Sequence, residues 1–194
     1  MFSVGILTIS DKGSRGERED LSGPEIRRII SELPARIEAC EVIPDEEDII
    51  IQKLVDYVER KKVDLLLTTG GTGLSPRDLT PEATRKVLHK EIPGIAEAMR
   101  AEGMKITPLA MLSRALSGVR CRTLIINLPG SPQAVRENLT VIFPVLKHAL
   151  EKIQGDPSDC APQTIPSPLG DCVTTQAGGH EGGSIGGIRS SKRY

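Results

Sequence analysis

The chain has 194 residues, 38% hydrophobic and 26% charged, so its length and composition suit one well-buried domain rather than two sizeable ones. A formal net charge of -1, with two Tyr, two Phe and no Trp, argues against nucleic-acid binding, which depends on a basic field and stacking aromatic side chains. No apolar run approaches membrane-spanning length, and the amino terminus lacks the pattern of a secretory signal. We therefore expect a cytoplasmic protein with neither nucleic acid nor membrane as a partner.

The first part of the chain predicts a strand, a charged loop and a helix. Residues 2–10 cluster apolar side chains as a strand that ends in the turn residues Ser10-Asp11-Lys12-Gly13. The loop over residues 13–23 is rich in charge and longer than an ordinary connection, so it is either functional or simply solvated. Pro24 is predicted to begin a helix with apolar residues at helical spacing, and Pro34 to stop it.

Asp45 follows the second predicted strand, which covers residues 36–43. A helix is predicted from this aspartate to about Lys61, since apolar residues recur with a helical period. From the residues alone, Asp45 is interpreted as the cap of that helix rather than as a catalytic group.

Within residues 63–69, Leu65, Leu66 and Leu67 form an unbroken apolar run that ends in two threonines, which is typical of a strand buried on both faces at the centre of a parallel sheet. Gly70, Gly71 and Gly73 follow at once. Glycines there allow a sharp turn and leave backbone N–H groups uncovered, which suits a phosphate or a flat heterocycle, although a purely structural turn fits them equally well. Asp78 favours a ligand site, because it stands just before Thr80-Pro81, which are predicted to cap and begin a helix.

The rest of the chain continues the alternation. Residues 81–89 and 93–103 are predicted helices, and the segment that starts at Thr107-Pro108 either lines a site or links two elements. Residues 123–128 form the next strand, which ends in a second Gly/Pro turn with Ser131 as a helix cap. The last helix runs to about residue 153, and Pro144 is expected to kink or divide it.

Residues 155–194 differ in composition from the rest of the chain. Gly, Pro and Ser supply 17 of these 40 residues, so we expect a flexible tail after a single domain over residues 1–154. The four cysteines, Cys40, Cys121, Cys160 and Cys172, contain no Cys-x-x-Cys pair, so a zinc site is not expected.

Alternating strands and helices predict a three-layer α/β/α sandwich with a mostly parallel central sheet. In such folds ligands bind outside the carboxyl ends of the parallel strands. Ser10-Asp11, Asp45, the glycine turn and the Asn127 to Pro132 turn all follow predicted strands. We therefore expect these four segments to meet at one crevice.

Five motifs occur in the order in which one enzyme family carries them. They are Pro44-Asp45-Glu46, Thr69-Gly70-Gly71-Thr72-Gly73, Arg77-Asp78 with Thr80-Pro81-Glu82-Ala83-Thr84, Met111-Leu112-Ser113-Arg114, and Leu124-Ile125-Ile126-Asn127-Leu128-Pro129-Gly130-Ser131-Pro132. Through them, residues 3–153 resemble the molybdopterin adenylyltransferases, that is, the MogA-type enzymes and the gephyrin G domain. Each motif is weak alone, but the ordered set is highly specific.

The resemblance implies a magnesium-dependent transfer of AMP from ATP to the terminal phosphate of molybdopterin, with release of pyrophosphate. It assigns Asp45 and Asp78 as the catalytic aspartates, which hold Mg²⁺ directly or through water. It also implies a substrate-binding and nucleotide-binding set: Ser10, Asp11, Thr69, Gly70, Gly71, Thr72, Gly73, Ser113, Asn127, Pro129, Gly130 and Ser131. Positioning groups and a metal are the parts that such a transfer needs.

The same resemblance implies a homotrimer and hand-over of the product to a molybdenum-insertion enzyme. Two alternatives stay open. A MoaB-like molybdopterin-binding or nucleotide-binding protein shares the glycine turn and Pro129-Gly130-Ser131, although Pro44-Asp45-Glu46 favours the MogA-type branch. A non-enzymatic assembly module like the gephyrin G domain is the other, although the sequence lacks the much larger molybdenum-insertion domain of such scaffolds.

Overall fold

The computed structural model describes residues 1–158, so the predicted tail lies almost entirely outside the described residues. The strands are β1 (Phe2–Ile9), β2 (Ala35–Ile43), β3 (Leu65–Thr69), β4 (Lys90–Glu91), β5 (Ser117–Arg120) and β6 (Thr123–Leu128). The helices are α1 (Asp11–Ser14), α2 (Ser22–Ile30), α3 (Glu47–Val55), α4 (Thr80–Val87), α5 (Pro93–Gly103) and α6 (Pro132–Ile153). A π-helical turn (Asp56–Arg60) continues α3, and a 3-10 helix (Pro108–Leu112) precedes β5.

The strands form one sheet in the order β2-β1-β3-β6-β5-β4. The β2, β1, β3 and β6 strands are parallel to one another, whereas β5 pairs antiparallel with β6 and β4 pairs antiparallel with β5. The predicted mostly parallel sheet is therefore confirmed, and β3 is one of its two innermost strands.

Both faces of β3 are covered, which explains why its sequence is an uninterrupted apolar run. Leu65 and Leu67 pack on one face with side chains from α2, α5 and α6, while Leu66 packs on the other with side chains from α3 and α4. Successive side chains of a strand point to opposite faces, so a strand between two helical layers must be apolar at every position. The three-layer arrangement is confirmed.

Several predicted helix boundaries are wrong in detail. The α2 helix begins at Ser22 rather than at Pro24, because Asp20 accepts hydrogen bonds from the N–H groups of Ser22 and Gly23 at 3.0 Å. Of the two outcomes expected for Pro144, division of the last helix does not occur, because α6 runs without a break from Pro132 to Ile153 with Pro144 inside it; a kink there stays a prediction. In the predicted loop over residues 13–23, the start is helical in α1.

The antiparallel edge was missed. The sequence predicts a helix to about residue 89 and assigns no strand to residues 115–119, whereas α4 ends at Val87 and the two short strands β4 and β5 follow. Strands of two and four residues carry too little alternation to be recognised.

No helix within residues 1–158 is long and apolar enough to cross a membrane. Cys40 and Cys121 are exposed and free, whereas Cys160 and Cys172 lie outside the described residues.

Candidate active site at the carboxyl ends of the parallel strands

The register of the sheet aligns the ends of its parallel strands. Thr69, the last residue of β3, pairs with Thr8 of β1 and with Leu128 of β6. Ile9 of β1 pairs with Ile43 of β2. The turns that follow these strands therefore start side by side, as the sequence predicts.

A cavity of about 670 Å³ opens where these turns meet. It is lined by Thr8, Ile9, Ser10, Gly13, Arg18, Glu19, Asp20, Leu21, Ser22, Asp45, Thr69, Gly70, Gly71, Asp78, Gly130, Ser131 and Pro132. Eight residues of the predicted site are among them: Ser10, Asp45, Thr69, Gly70, Gly71, Asp78, Gly130 and Ser131. The expectation that the turns converge on one crevice is borne out by this lining.

The glycine turn depends on the absence of side chains. Gly70 and Gly71 have φ values of +97° and +64°, a region that residues with a Cβ rarely adopt. A Cβ on Gly70 would stand 2.3 Å from the Ile9 carbonyl oxygen, and one on Gly71 would stand 2.3 Å from the Thr80 hydroxyl. The turn is therefore packed against the end of β1 and the start of α4 at distances that only glycine allows.

The Thr80 hydroxyl donates a hydrogen bond of 2.9 Å to the Gly70 carbonyl oxygen. The prediction that Thr80 caps the following helix is wrong, since α4 includes Thr80 and Leu79 stands at the cap position. On the other side, the Thr69 hydroxyl donates to the Pro129 carbonyl oxygen at 2.7 Å. Side chains from both neighbouring elements thus fix the shape of the turn.

Asp45 and Asp11 are joined by reciprocal hydrogen bonds. The Asp11 N–H donates to Asp45 Oδ2 at 2.7 Å, and the Asp45 N–H donates to Asp11 Oδ1 at 3.0 Å. The interpretation of Asp45 as a helix cap is wrong: α3 starts at Glu47, and Glu46 is its cap residue. Asp45 instead holds the turn after β1 against the turn after β2, and its half-buried side chain lines the cavity.

Arg77 binds carboxylates from two neighbouring turns. Its guanidinium binds both carboxylate oxygens of Asp11, at 3.1 and 2.9 Å, and also Glu46 at 2.9 Å. Bidentate pairs of this kind fix orientation as well as charge. Arg77 therefore joins the glycine loop, that is, the segment over residues 70–79 that begins with the glycine turn, to the turns after β1 and β2.

The pKa values of Asp11 and Asp45 are shifted in opposite directions. The hydrogen bonds from Arg77 hold the pKa of Asp11 below its ordinary value. Burial raises the pKa of Asp45, and the negative charges of Asp11 and Asp78 act in the same direction, against the hydrogen bond from Asp11 and the charge of Arg77. Burial at the cavity wall therefore disfavours the charged form of Asp45.

Asp78 reaches the same cavity from the glycine loop. Its Oδ2 accepts a hydrogen bond of 2.7 Å from the Ser75 N–H, which closes a tight turn within the loop. Gly73 lies against this carboxylate, since a Cβ there would be 3.0 Å from Asp78 Oδ2. The loop thus presents its aspartate in one defined orientation.

The structure places six predicted site residues away from the cavity lining: Asp11, Thr72, Gly73, Ser113, Asn127 and Pro129. Asp11 and Pro129 contact lining residues through the hydrogen bonds above. Asn127 is fully buried; its amide donates to the hydroxyls of Thr68 and Thr84 at 2.9 and 3.0 Å. Ser113 lines a separate cavity of about 370 Å³ beside α4 and α5.

Sequence reasoning missed the contribution of the loop before α2. Arg18, Glu19 and Asp20 line the cavity, and Asp20 also accepts a hydrogen bond of 2.8 Å from the Thr8 hydroxyl. The Ser22 hydroxyl donates to the Gly130 carbonyl oxygen at 2.8 Å, which connects this loop to the second Gly/Pro turn. An aspartate two residues before a Ser-Gly helix start is a capping signal that would have placed the loop.

The carboxylates fit a magnesium ion. Within residues 1–158, no group of three or more His, Cys, Asp or Glu side chains forms a metal cluster. Mg²⁺, however, is usually held by one or two carboxylates together with substrate phosphates and water. Asp45 and Asp78 supply two such groups at one cavity.

The fold and the cavity define an α/β protein with a cavity outside the carboxyl ends of its parallel strands, where such folds bind ligands; a glycine turn and the carboxylates of Glu19, Asp20, Asp45 and Asp78 line it. The family model described as "Probable molybdopterin binding domain" matches residues 5–148. The chain belongs to this family.

Several named relatives share much of the sequence or the fold. The molybdopterin adenylyltransferase of Helicobacter pylori strain J99 is 43% identical over 79% of this chain and 88% of its own length. Gephyrin of Dictyostelium discoideum is 44% identical over 83% of this chain but only 24% of its own length. The molybdopterin biosynthesis enzyme MoaB of Thermus thermophilus is similar in structure, with a TM-score of 0.77 and 53% identity over 82% of this chain and all of its own. A structure of MogA matches with a TM-score of 0.75 and 42% identity, covering 78% of this chain and 99% of its own.

Proposed function

We propose that this protein is a molybdopterin adenylyltransferase of molybdenum cofactor biosynthesis. In this reaction AMP passes from ATP to the terminal phosphate of molybdopterin and pyrophosphate leaves. The observation that carries the proposal is the meeting of Asp45, Asp78 and the Gly70-Gly71 turn at one cavity. Relatives of this length that carry the activity in their names support it.

Mg²⁺ is proposed to bind at Asp45 and Asp78, directly or through water. When bound, the ion withdraws charge from the phosphate that is attacked. Asp45 is held for this task by the Asp11 N–H, and Asp78 by the Ser75 N–H. Because each hydrogen bond occupies one carboxylate oxygen, the side chains are oriented before any ligand arrives, which is the basis of electrostatic preorganisation.

The glycine turn is proposed to take the phosphates or the pterin ring. Gly70 and Gly71 lie at the cavity wall without a Cβ, so a ligand can approach the backbone closely. Ser10 and Ser131 place hydroxyl groups at the same cavity, from the turns after β1 and β6. Contacts of Ser113 and Asn127 with either substrate stay predictions of the family resemblance.

The test is a pyrophosphate-release assay with purified protein, ATP, Mg²⁺ and molybdopterin. We expect release only when both substrates are present, and an adenylylated molybdopterin detectable by mass spectrometry. Asp78→Asn is the control that removes one carboxylate charge at similar volume. Binding of molybdopterin without pyrophosphate release would instead favour the MoaB-like or non-enzymatic alternatives.

A homotrimer, hand-over of the product to a molybdenum-insertion enzyme and a cytoplasmic location belong to the same proposal. The segment before β5 supports self-association, since Leu109, Met111 and Leu112 expose 71%, 59% and 45% of their surface. Neighbouring exposed apolar side chains are typical of surfaces that other proteins cover. Light scattering of the purified chain measures the number of subunits directly.

A further inference from the structure

Arg114 contacts the loop over residues 72–78 and lies outside the lining of the main cavity. It follows the 3-10 helix and lines the smaller cavity that also contains Ser113. Its backbone N–H donates a hydrogen bond of 3.0 Å to the Thr72 carbonyl oxygen. This hydrogen bond joins the backbone at Arg114 to the loop, independently of the Arg114 side chain.

The guanidinium of Arg114 makes three further contacts with three different nitrogen atoms. Nε donates to the Gly73 carbonyl oxygen at 2.7 Å, and Nη2 donates to the Asp78 carbonyl oxygen at 2.5 Å. Nη1 pairs with Glu82 of α4. The loop from residue 72 to residue 78 is thus held at its beginning and at its end by one side chain.

The front of this loop faces the main cavity, and its rear contacts Arg114. At its front, Asp78 lines the main cavity together with Gly71, which precedes the loop. Its rear presents the carbonyl oxygens of Gly73 and Asp78 to Arg114. This loop lies between β3 and α4 without a helix or strand of its own. Ordering such a segment costs conformational entropy, so contacts at the rear decide how well the front is ordered.

We propose that Arg114 is a positioning residue for Asp78. It is not among the residues that line the main cavity; it fixes the backbone from which the Asp78 carboxylate projects, and Glu82 orients its guanidinium. This inference rests on the proposed role of Asp78 in metal binding.

Only arginine has the geometry for this task. Its planar fork aims several N–H groups in fixed directions, whereas the ammonium of lysine is a single point on a flexible stem. A lysine at this position keeps the charge and can pair with Glu82, but it cannot bind two carbonyl oxygens and a carboxylate from three separate nitrogen atoms. Arg114→Lys therefore separates positioning from charge.

The matched control is Arg120→Lys. The Arg120 guanidinium also binds a backbone carbonyl oxygen, that of Val87, and a glutamate, Glu59, but these contacts lie away from the glycine loop. Each variant is compared with the parent chain by thermal unfolding, by hydrogen exchange of peptides that cover residues 72–80, and by the Mg²⁺ concentration that gives half-maximal pyrophosphate release.

For Arg114→Lys we expect exchange in the loop to accelerate at least about tenfold, and the half-maximal Mg²⁺ concentration to rise by about 10-fold to 100-fold, the usual effect of losing a residue that orients a metal ligand. Arg120→Lys should leave both the exchange rate of the loop and the half-maximal Mg²⁺ concentration unchanged. Equal exchange and equal Mg²⁺ dependence in the two variants would overturn the proposal.

Failure of the proposed function and failure of the proposed role of Arg114 give different results in these experiments. If the parent chain releases no pyrophosphate, the proposed function fails, while loop exchange still decides whether Arg114 orders the loop. If Arg114→Lys does not fold, Glu82→Gln replaces it. We expect that variant to shift both measurements in the same direction by a smaller factor, and no shift in either one would refute the proposed role.

Discussion

Substitution of Gly71 by alanine separates a ligand site from a merely structural turn. The added methyl meets three obstacles in the structure: a backbone φ of +64°, the Thr80 hydroxyl at 2.3 Å, and Asp45 Oδ1 at 3.3 Å. The φ value and the contact with Thr80 affect the stability of the fold. The contact with Asp45 affects the space in which a ligand would lie.

The stability cost follows from two terms. A residue with a Cβ in the left-handed region costs about 1–2 kcal/mol, and displacing the Thr80 hydroxyl from the Gly70 carbonyl oxygen costs about 1 kcal/mol more. We therefore expect Gly71→Ala to lose about 2–3 kcal/mol and to lower Tm by about 5–10 °C, since 1 kcal/mol shifts a chain of this size by about 2–4 °C.

Gly16→Ala is the matched control. Gly16 has a φ of +73°, and a Cβ there meets nothing within 4 Å, so it should show backbone strain alone, about 1–2 kcal/mol. Thr80→Ala supplies a second comparison: in that background Gly71→Ala should cost about 1 kcal/mol less, because the hydroxyl has been removed. Denaturant unfolding of the four chains and of the double variant measures these differences.

The ligand effect is measured on the folded variant. A methyl group between Gly71 and Asp45 narrows the site, and overpacking of this kind costs about 1–3 kcal/mol, so affinity for ATP or molybdopterin should fall by about tenfold or more. Calorimetric titration with each ligand gives the result. Unchanged affinity for both, or a stability loss no larger than that of Gly16→Ala, would refute the reasoning and leave the turn as structural.

Three further predictions follow from the same geometry. Asp78→Asn should keep the fold and lower turnover by about two to three decades, the scale of losing one preorganised electrostatic contact; near-normal pyrophosphate release would contradict this. Asp45→Asn should lower turnover similarly but raise the free energy of unfolding of the ligand-free protein at pH 7, because ionising a carboxyl with a raised pKa costs stability. The gain should appear as the pH rises through that raised pKa and vanish below the ordinary value of 3.8, and equal unfolding curves at pH 7 would contradict it. A chain that ends after Ser158 should unfold at the same Tm and turn over as before, since residues 159–194 contain few large apolar side chains; a Tm lower by many degrees would show that the removed segment packs on the domain. The truncation is placed after Ser158 because Lys152 binds its carbonyl oxygen.

Local patterns in the sequence predicted the features that local forces determine. The run from Leu65 to Thr69 must be a strand covered on both faces, because all five side chains are apolar or threonine and cannot be exposed on one side. Likewise, Ser131 was correctly predicted as a cap, since its hydroxyl accepts a hydrogen bond from the Ala134 N–H only three residues away. Interactions over so few residues need no knowledge of the rest of the chain.

The roles of single site residues could not be read in this way. Asp45 has the spacing of a helix cap, yet its partner is the Asp11 N–H, 34 residues earlier in the chain. Asn127 belongs to the second Gly/Pro turn motif, yet its amide group donates both of its hydrogen bonds to buried hydroxyls, those of Thr68 and Thr84. Both outcomes depend on which strands become neighbours.

The sequence by itself determined the alternating elements, the glycine turn and the family to which its motifs belong. Only the tertiary structure decided which side chains share the cavity, because that depends on the register of β1, β2, β3 and β6 and on contacts that each span dozens of residues. Arg114 illustrates the difference: nothing in its sequence neighbourhood points to Gly73 or Asp78, and its hydrogen bonds to their carbonyl oxygens exist only because the fold brings the end of the 3-10 helix behind the glycine loop.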